Sequence, residues 1–158
     1  DPLWSRGLGD VYKRQTPVAH PPRYCGGCLI GLCLGLAGAV WAQVPVPSFT
    51  LAWNHTIEKI RWEEDYRVTP DGLLLGEARV RGSGAGMEIP EGAVLRDGAW
   101  HYQRQMPPLQ PLRLGRTPEA GDYQLCDGKG CKHFSEWLGP PTAGQPEVEL
   151  WSCEMKAD

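Results

Sequence analysis

From Ser48 onward apolar and polar positions alternate with a period of two, the pattern of strands buried on one side. Phe49, Leu51, Trp53 and His55 share one face, while Thr50, Ala52 and Asn54 share the other. After a turn through residues 56–59, Ile60, Trp62, Glu64, Tyr66 and Val68 point one way and Arg61, Glu63, Asp65 and Arg67 the other. Thr69-Pro70-Asp71-Gly72 predicts a three-residue hairpin with Gly72 in the left-handed region. That turn pairs Val68 with Leu74, Tyr66 with Gly76, Glu64 with Ala78 and Trp62 with Val80, which carries the apolar face into a third strand. Shorter strands are predicted over 99–103, 112–116, 122–126 and 148–153, each bounded by Pro, Gly or Asp. Only residues 132–138 suit a helical turn. The expected class is all-β: a small antiparallel sandwich or open barrel of meander hairpins, with Trp53, Trp62, Trp100 and Trp151 as core aromatics.

Composition agrees with short strands and many turns. The 158 residues include 20 Gly and 15 Pro, which interrupt helices and confine strands. They amount to one domain. From Gln43 the chain carries 12 Lys or Arg against 17 Asp or Glu, a net charge of −5. That balance argues against a nucleic-acid or anionic-membrane partner.

Upstream, the chain reads differently. Asp10-Val11-Tyr12-Lys13-Arg14-Gln15 matches the translation of a DNA-library adapter, so residues 1–15 are expected to be foreign to the natural protein. Arg23 then precedes an apolar run at 28–42 that ends in small residues, the order of a secretory leader. About fifteen apolar residues fall short of the roughly twenty needed to span a bilayer as a helix. The expectation is therefore a leader at 16–42, a single all-β domain at 43–158 and no stable transmembrane anchor after cleavage. An uncleaved 28–42 tether to the inner membrane is the alternative.

On this reading Cys25, Cys28 and Cys33 leave with the leader, and Cys126, Cys131 and Cys153 remain as candidates for one disulfide and one leftover thiol. Asp127-Gly128 sits between the first two and can turn them toward each other. A bridge from either to Cys153 would instead close a longer loop. A zinc site from the three cysteines and His133 lacks a standard ligand spacing, so no metal or other cofactor is expected.

Two polar residues interrupt apolar faces, and a buried polar group must find a partner. Glu64 lies opposite Ala78, where small neighbours leave room for a donor or a ligand atom. A structural acid held by hydrogen bonds is the simpler account. His55 precedes Thr56 and Glu58, at the sheet end toward which Gly82-Ser83-Gly84-Ala85-Gly86 also leads. Glycine-rich backbone beside an imidazole can hold an anion, although three glycines also make an ordinary bend. The ligand-binding candidates are thus His55, Thr56, Glu58, Glu64, Gly84, Ala85 and Gly86. Ser83 lacks the helix that follows a nucleophile elbow, and no catalytic set is assigned.

The run from Trp53 through His55-Thr56-Ile57-Glu58-Lys59 to Val68, followed by Leu73 to Val80 and Gly84-Ala85-Gly86, resembles the bacterial DUF1850 family over about 49–102. Thr56 and Ile57 stand where that family's segment has Ser and Val, and Met87-Glu88 replaces its usual apolar-Pro ending. The resemblance implies a small exported or membrane-tethered protein, often encoded beside TRAP transporters with TAXI-type receptors, and no established activity. The expected function is a periplasmic accessory or binding protein of a solute-uptake system, with a solute receptor or membrane transporter as partner. Two other readings compete: a small hydrolase or metal-dependent enzyme using His55 and Glu64, and a structural envelope protein.

Overall fold

In a computed structural model the chain forms two antiparallel sheets packed face to face, and residues 29–54, 59–81 and 91–155 are described. The larger sheet has seven strands. They are β3 (Ser48–Asn54), β4 (Arg61–Thr69), β5 (Gly72–Arg81), β6 (Val94–Arg96), β7 (Ala99–Gln103), β9 (Gln124–Asp127) and β10 (Gly130–His133), in the order β10-β9-β3-β4-β5-β7-β6. The smaller sheet joins β1 (Leu29–Leu36), β2 (Ala39–Val44), β8 (Leu112–Gly115) and β11 (Glu147–Met155) in the order β2-β1-β11-β8. One short helix, α1 (Ser135–Leu138), follows β10. This is an open sandwich of the expected all-β class.

The alternation on β3 and β4 places side chains as predicted. Phe49, Leu51, Trp62, Glu64 and Tyr66 are buried on the inner face, and Thr50 pairs with Asp65 on the outer one. Leu32, Leu34, Leu112, Leu114, Val148 and Leu150 come from the smaller sheet to complete the main core. Of the four tryptophans named as core residues, Trp62 is buried and the other three are half-buried.

The β4–β5 hairpin departs from its expected register at the turn. Thr69 pairs with Gly72, so the loop is the two residues Pro70 and Asp71 rather than three. Val68 then faces Leu73 and Tyr66 faces Leu75, whereas Glu64 still meets Ala78 and Trp62 still meets Val80. A bulge between Glu64 and Tyr66 absorbs the one-residue difference, because Gly76 and Glu77 of β5 together oppose Asp65. The phase switch buries Leu73 and Leu75 on one side of the bulge and Ala78 and Val80 on the other. Gly76 consequently is exposed and does not flank Glu64. At the turn, Gly72 has φ +133, and a Cβ there would lie 2.7 Å from the Leu109 carbonyl oxygen.

Two further strands, not predicted from the sequence, lie upstream. The apolar run expected as a leader core forms β1 and β2 from Leu29 onward. β1 sits between β2 and β11, with five consecutive residues buried. A strand covered on both faces is apolar throughout, and periodicity alone does not separate such a strand from a leader. Glu149 of β11 accepts a hydrogen bond from the Ala37 backbone N–H at 2.7 Å and an ion pair from Arg113 at 2.8 Å, so β11 also holds the β1–β2 turn. Cys33, 1% exposed, is bonded to Cys153 across 120 residues of chain. Cys126 is bonded to Cys131. The expected leftover thiol is thus replaced by a second disulfide, because Cys33 supplies the fourth sulfur. With all four sulfurs oxidised, the considered zinc site loses its thiolates. The adapter-like residues and the start of the leader lie outside the described residues. Among those described, no helix is long and apolar enough to cross a membrane.

Replacing Cys33 and Cys153 together by Ser is expected to destabilise the domain by about 2–5 kcal/mol, the usual worth of a long-loop disulfide. Urea unfolding of the variant against the oxidised parent measures it, and an unchanged midpoint would count against a fold built around β1.

Candidate functional site

The strand registers arrange the inner face of the large sheet in rows. One runs Leu125, Leu51, Glu64, Ala78, Tyr102 across β9, β3, β4, β5 and β7. The next runs Trp53, Trp62, Val80, Trp100, with the Trp53 and Trp62 rings stacked at 6.2 Å. Glu64 is 2% exposed at the centre of these rows. Two residues along the same face, the Tyr66 hydroxyl donates to its Oε1 at 3.1 Å. Burial pushes the Tyr102 and Tyr123 hydroxyls well above the ordinary phenol range, and the Glu64 carboxylate raises both further. The side chain is therefore an interior acid that accepts from Tyr66 and acts electrostatically on Tyr102 and Tyr123, in a setting where charge acts at longer range than in water.

β3 leaves the sheet at Asn54 and β5 at Arg81, and Asn54 pairs with Arg61 while Arg81 pairs with Ala99. Both strands end at the same edge of the sheet, as the predicted hairpins require. His55, Thr56, Glu58, Gly84, Ala85 and Gly86, named from the sequence as candidates, lie outside the described residues; Glu64 is the one whose surroundings are described.

The outer face carries a charged ladder. Arg79 donates through Nη2 and Nη1 to the two Asp65 carboxylate oxygens, both at 2.7 Å, and through Nη1 to Glu77 at 3.0 Å. Thr50 Oγ1 donates to Asp65 Oδ1 at 2.7 Å. His101 Nδ1 lies 2.7 Å from Glu77 Oε1 and its Nε2 3.2 Å from the Arg96 carbonyl oxygen. Glu63 takes three arginines, Arg61 and Arg79 at 3.5 Å and Arg81 at 3.3 Å. The Glu63–Arg79 cross-strand pair follows directly from the register, whereas the Asp65–Arg79 fork and the part of His101 do not. Alternation identifies which residues face outward but not which of several neighbouring charges a long side chain selects.

Partial burial pushes the Asp65 and Glu77 carboxyls up. Hydrogen bonds from Arg79 and Thr50 to Asp65, and from His101 and Arg79 to Glu77, outweigh it and hold both below their ordinary values of 3.8 and 4.5. A lowered folded-state pKa means that the unfolded chain binds protons first as acid is added. The stabilisation is complete above those ordinary values and drains away as pH falls through the lowered ones.

Two concavities flank the β9–β10 hairpin. One of about 450 Å³ has Gln43, Val46, Lys129, Cys131, Lys132 and Trp137 among its walls, and Lys132 Nζ stands 5.6 Å above the Trp137 ring. The other, of about 400 Å³, is bounded by Thr50, Asp65, Arg79 and Cys126, among others. The hairpin was legible as a turn between two cysteines; its position between two cavities was not.

Fold and site together define an all-β sandwich with a buried carboxylate set in the apolar interior under its larger sheet. The model of one family, Domain of unknown function (DUF1850), matches residues 49–134, and the chain belongs to that family. The match runs beyond the 49–102 stretch that carries the resemblance and takes in both cysteines of the β9–β10 hairpin. No curated protein and no solved structure matches the chain.

Two measurements probe the site. Tyr66→Phe removes a donor from a buried carboxylate and is expected to cost about 1–3 kcal/mol in chemical denaturation. Asp65→Asn is expected to flatten the fall of stability below pH 4 relative to the parent, read from denaturation midpoints across pH 2.5–7.

Proposed function

We propose that this domain is an exported accessory or binding protein, serving a solute-uptake system of the TRAP type through a solute receptor or the transporter itself. The observation that carries the reading is Glu64, an acid enclosed in the sandwich beneath its largest sheet with Tyr66 donating to it. Buried carboxylates held by hydrogen bonds cluster at binding and catalytic sites, which is what favours a ligand-directed role over a wall-building one. The two concavities beside the hairpin support binding in the same way, since a purely structural envelope protein needs neither. Two disulfides support an oxidising compartment. The link to uptake rests on the family resemblance. In this reading the exported form retains residues 29–44, because removal after Ala42 would strip β1 and most of β2 from the smaller sheet. The hydrolase reading requires the His55 imidazole within hydrogen-bond reach of the Glu64 carboxylate or of a shared water.

Deletion of the gene is expected to lower uptake through a transporter encoded beside it, with recovery by the parent chain and not by Glu64→Leu of equal abundance. The protein recovered from the periplasm should have an intact mass that includes β1. Unchanged uptake, together with no solute or receptor retained by the purified domain, would defeat the proposal.

A further inference from the structure

The two disulfides differ in burial, enclosed loop and place in the sheets. Cys33–Cys153 joins neighbouring strands inside the smaller sheet, with Cys33 buried and 120 residues enclosed. Cys126–Cys131 encloses a separation of only 5 on the hairpin at the sheet's edge, and the two cysteines are direct register partners. Cys131 belongs to β10, an edge strand whose four residues are all exposed. Its partner Cys126 is 9% exposed.

We infer that Cys126–Cys131 is a thiol-exchange site that accepts two electrons from a dithiol, with Cys131 as the sulfur attacked. Three features combine. Cys131 is an exposed residue of an edge strand and is among the residues that line the 450 Å³ concavity, so an incoming thiolate has room to approach from the open side of the sheet. Lys129 and Lys132 line that concavity against one carboxylate, Asp127, and the excess of positive charge draws an anionic nucleophile toward it. Behind the bond, Arg61 Nη2 lies 3.9 Å from Cys126 Sγ and the guanidinium is fixed by a 2.7 Å hydrogen bond from Nη1 to Gln124 Oε1. A cation at that sulfur stabilises the thiolate that must leave, and a better leaving group departs faster.

One thiolate of the dithiol attacks Cys131 Sγ, a mixed disulfide forms, and the Cys131–Cys126 bond breaks with its electron pair going to Cys126 beside Arg61. The second thiol, deprotonated, attacks its own partner sulfur in the mixed disulfide and expels Cys131 as thiolate. The two protons lost by the dithiol return to the two cysteines. The dithiol is oxidised to a disulfide and Cys126–Cys131 is reduced.

The test uses the oxidised full chain, kept folded at pH 7, with dithiothreitol as the dithiol, alkylation of freed thiols and peptide mass mapping. Cys126 and Cys131 are expected to be labelled together on the order of a hundredfold sooner than Cys33 and Cys153, since access and leaving group set the rate. Arg61→Gln should slow that labelling about tenfold, with part of the rate restored by Arg61→Lys. Cys126→Ser provides a check independent of Arg61: its lone Cys131 should capture thionitrobenzoate from Ellman's reagent faster than a cysteine in an unfolded peptide of the same sequence. Equal rates for the two disulfides, a Cys131 no faster than the peptide, or an Arg61→Gln variant that folds and exchanges at the parent rate would each overturn the inference.

Discussion

The structure depends on a cover for the inner face of its larger sheet. Seven strands present Leu51, Tyr66, Leu73 and Leu75 on one side, and such a face is stable only against a second layer. That layer is organised around β1. Without it β2 has no partner and β11 loses one edge, leaving β11 and β8 to cover the sandwich. Glu149 and Cys153 of β11 both reach back toward the β1–β2 hairpin, one by hydrogen bond and the other by covalent bond. The interior setting of Glu64 follows from that cover, because a carboxylate on an uncovered sheet face would be solvated.

Much of the larger sheet was readable in the order of residues. Alternation in β3 and β4 gave the correct faces, and the pairs Trp62 with Val80 and Glu64 with Ala78 survived in the structure. What failed was local. Pro70-Asp71-Gly72 fits two turns of different length, and choosing between them needs the Leu109 backbone that presses on Gly72. The bulge at Gly76 then repairs the phase, so the error reached Leu73 to Gly76 and stopped there. β1 left no strand signal for another reason. A strand apolar on both faces has the composition of a leader, so no local pattern announces it, and its tie to Cys153 lies 120 residues away in sequence. β6 and β10, three and four exposed residues long, carry too little burial to leave a pattern.

The candidate site divides in the same way. Glu64 was visible as the one acid on an apolar face. The tyrosines that feel its charge were visible only as apolar-face residues, since Tyr102 and Tyr123 come from segments distant in sequence. Charges on the outer face were seen, but their partnering was not. Asp65 is bound by Arg79, one strand away and diagonal to the row in which Glu63 and Arg79 are opposed. Side-chain reach, rather than register, decides such pairs. The cysteine hairpin lies at the meeting point of both difficulties, where a recognisable turn acquires its character from Arg61 on a strand far away in sequence.

One consequence follows from the pairing of Leu29 with Met155, the first residue of β1 with the last of β11. The two described ends of the chain lie side by side in one ladder, so the backbone traces a nearly closed circuit. Segments that precede β1 and follow β11 depart from adjacent points. In topological terms the sandwich resembles a ring opened at one position, and its strand pairings would be preserved wherever else that ring was cut between strands.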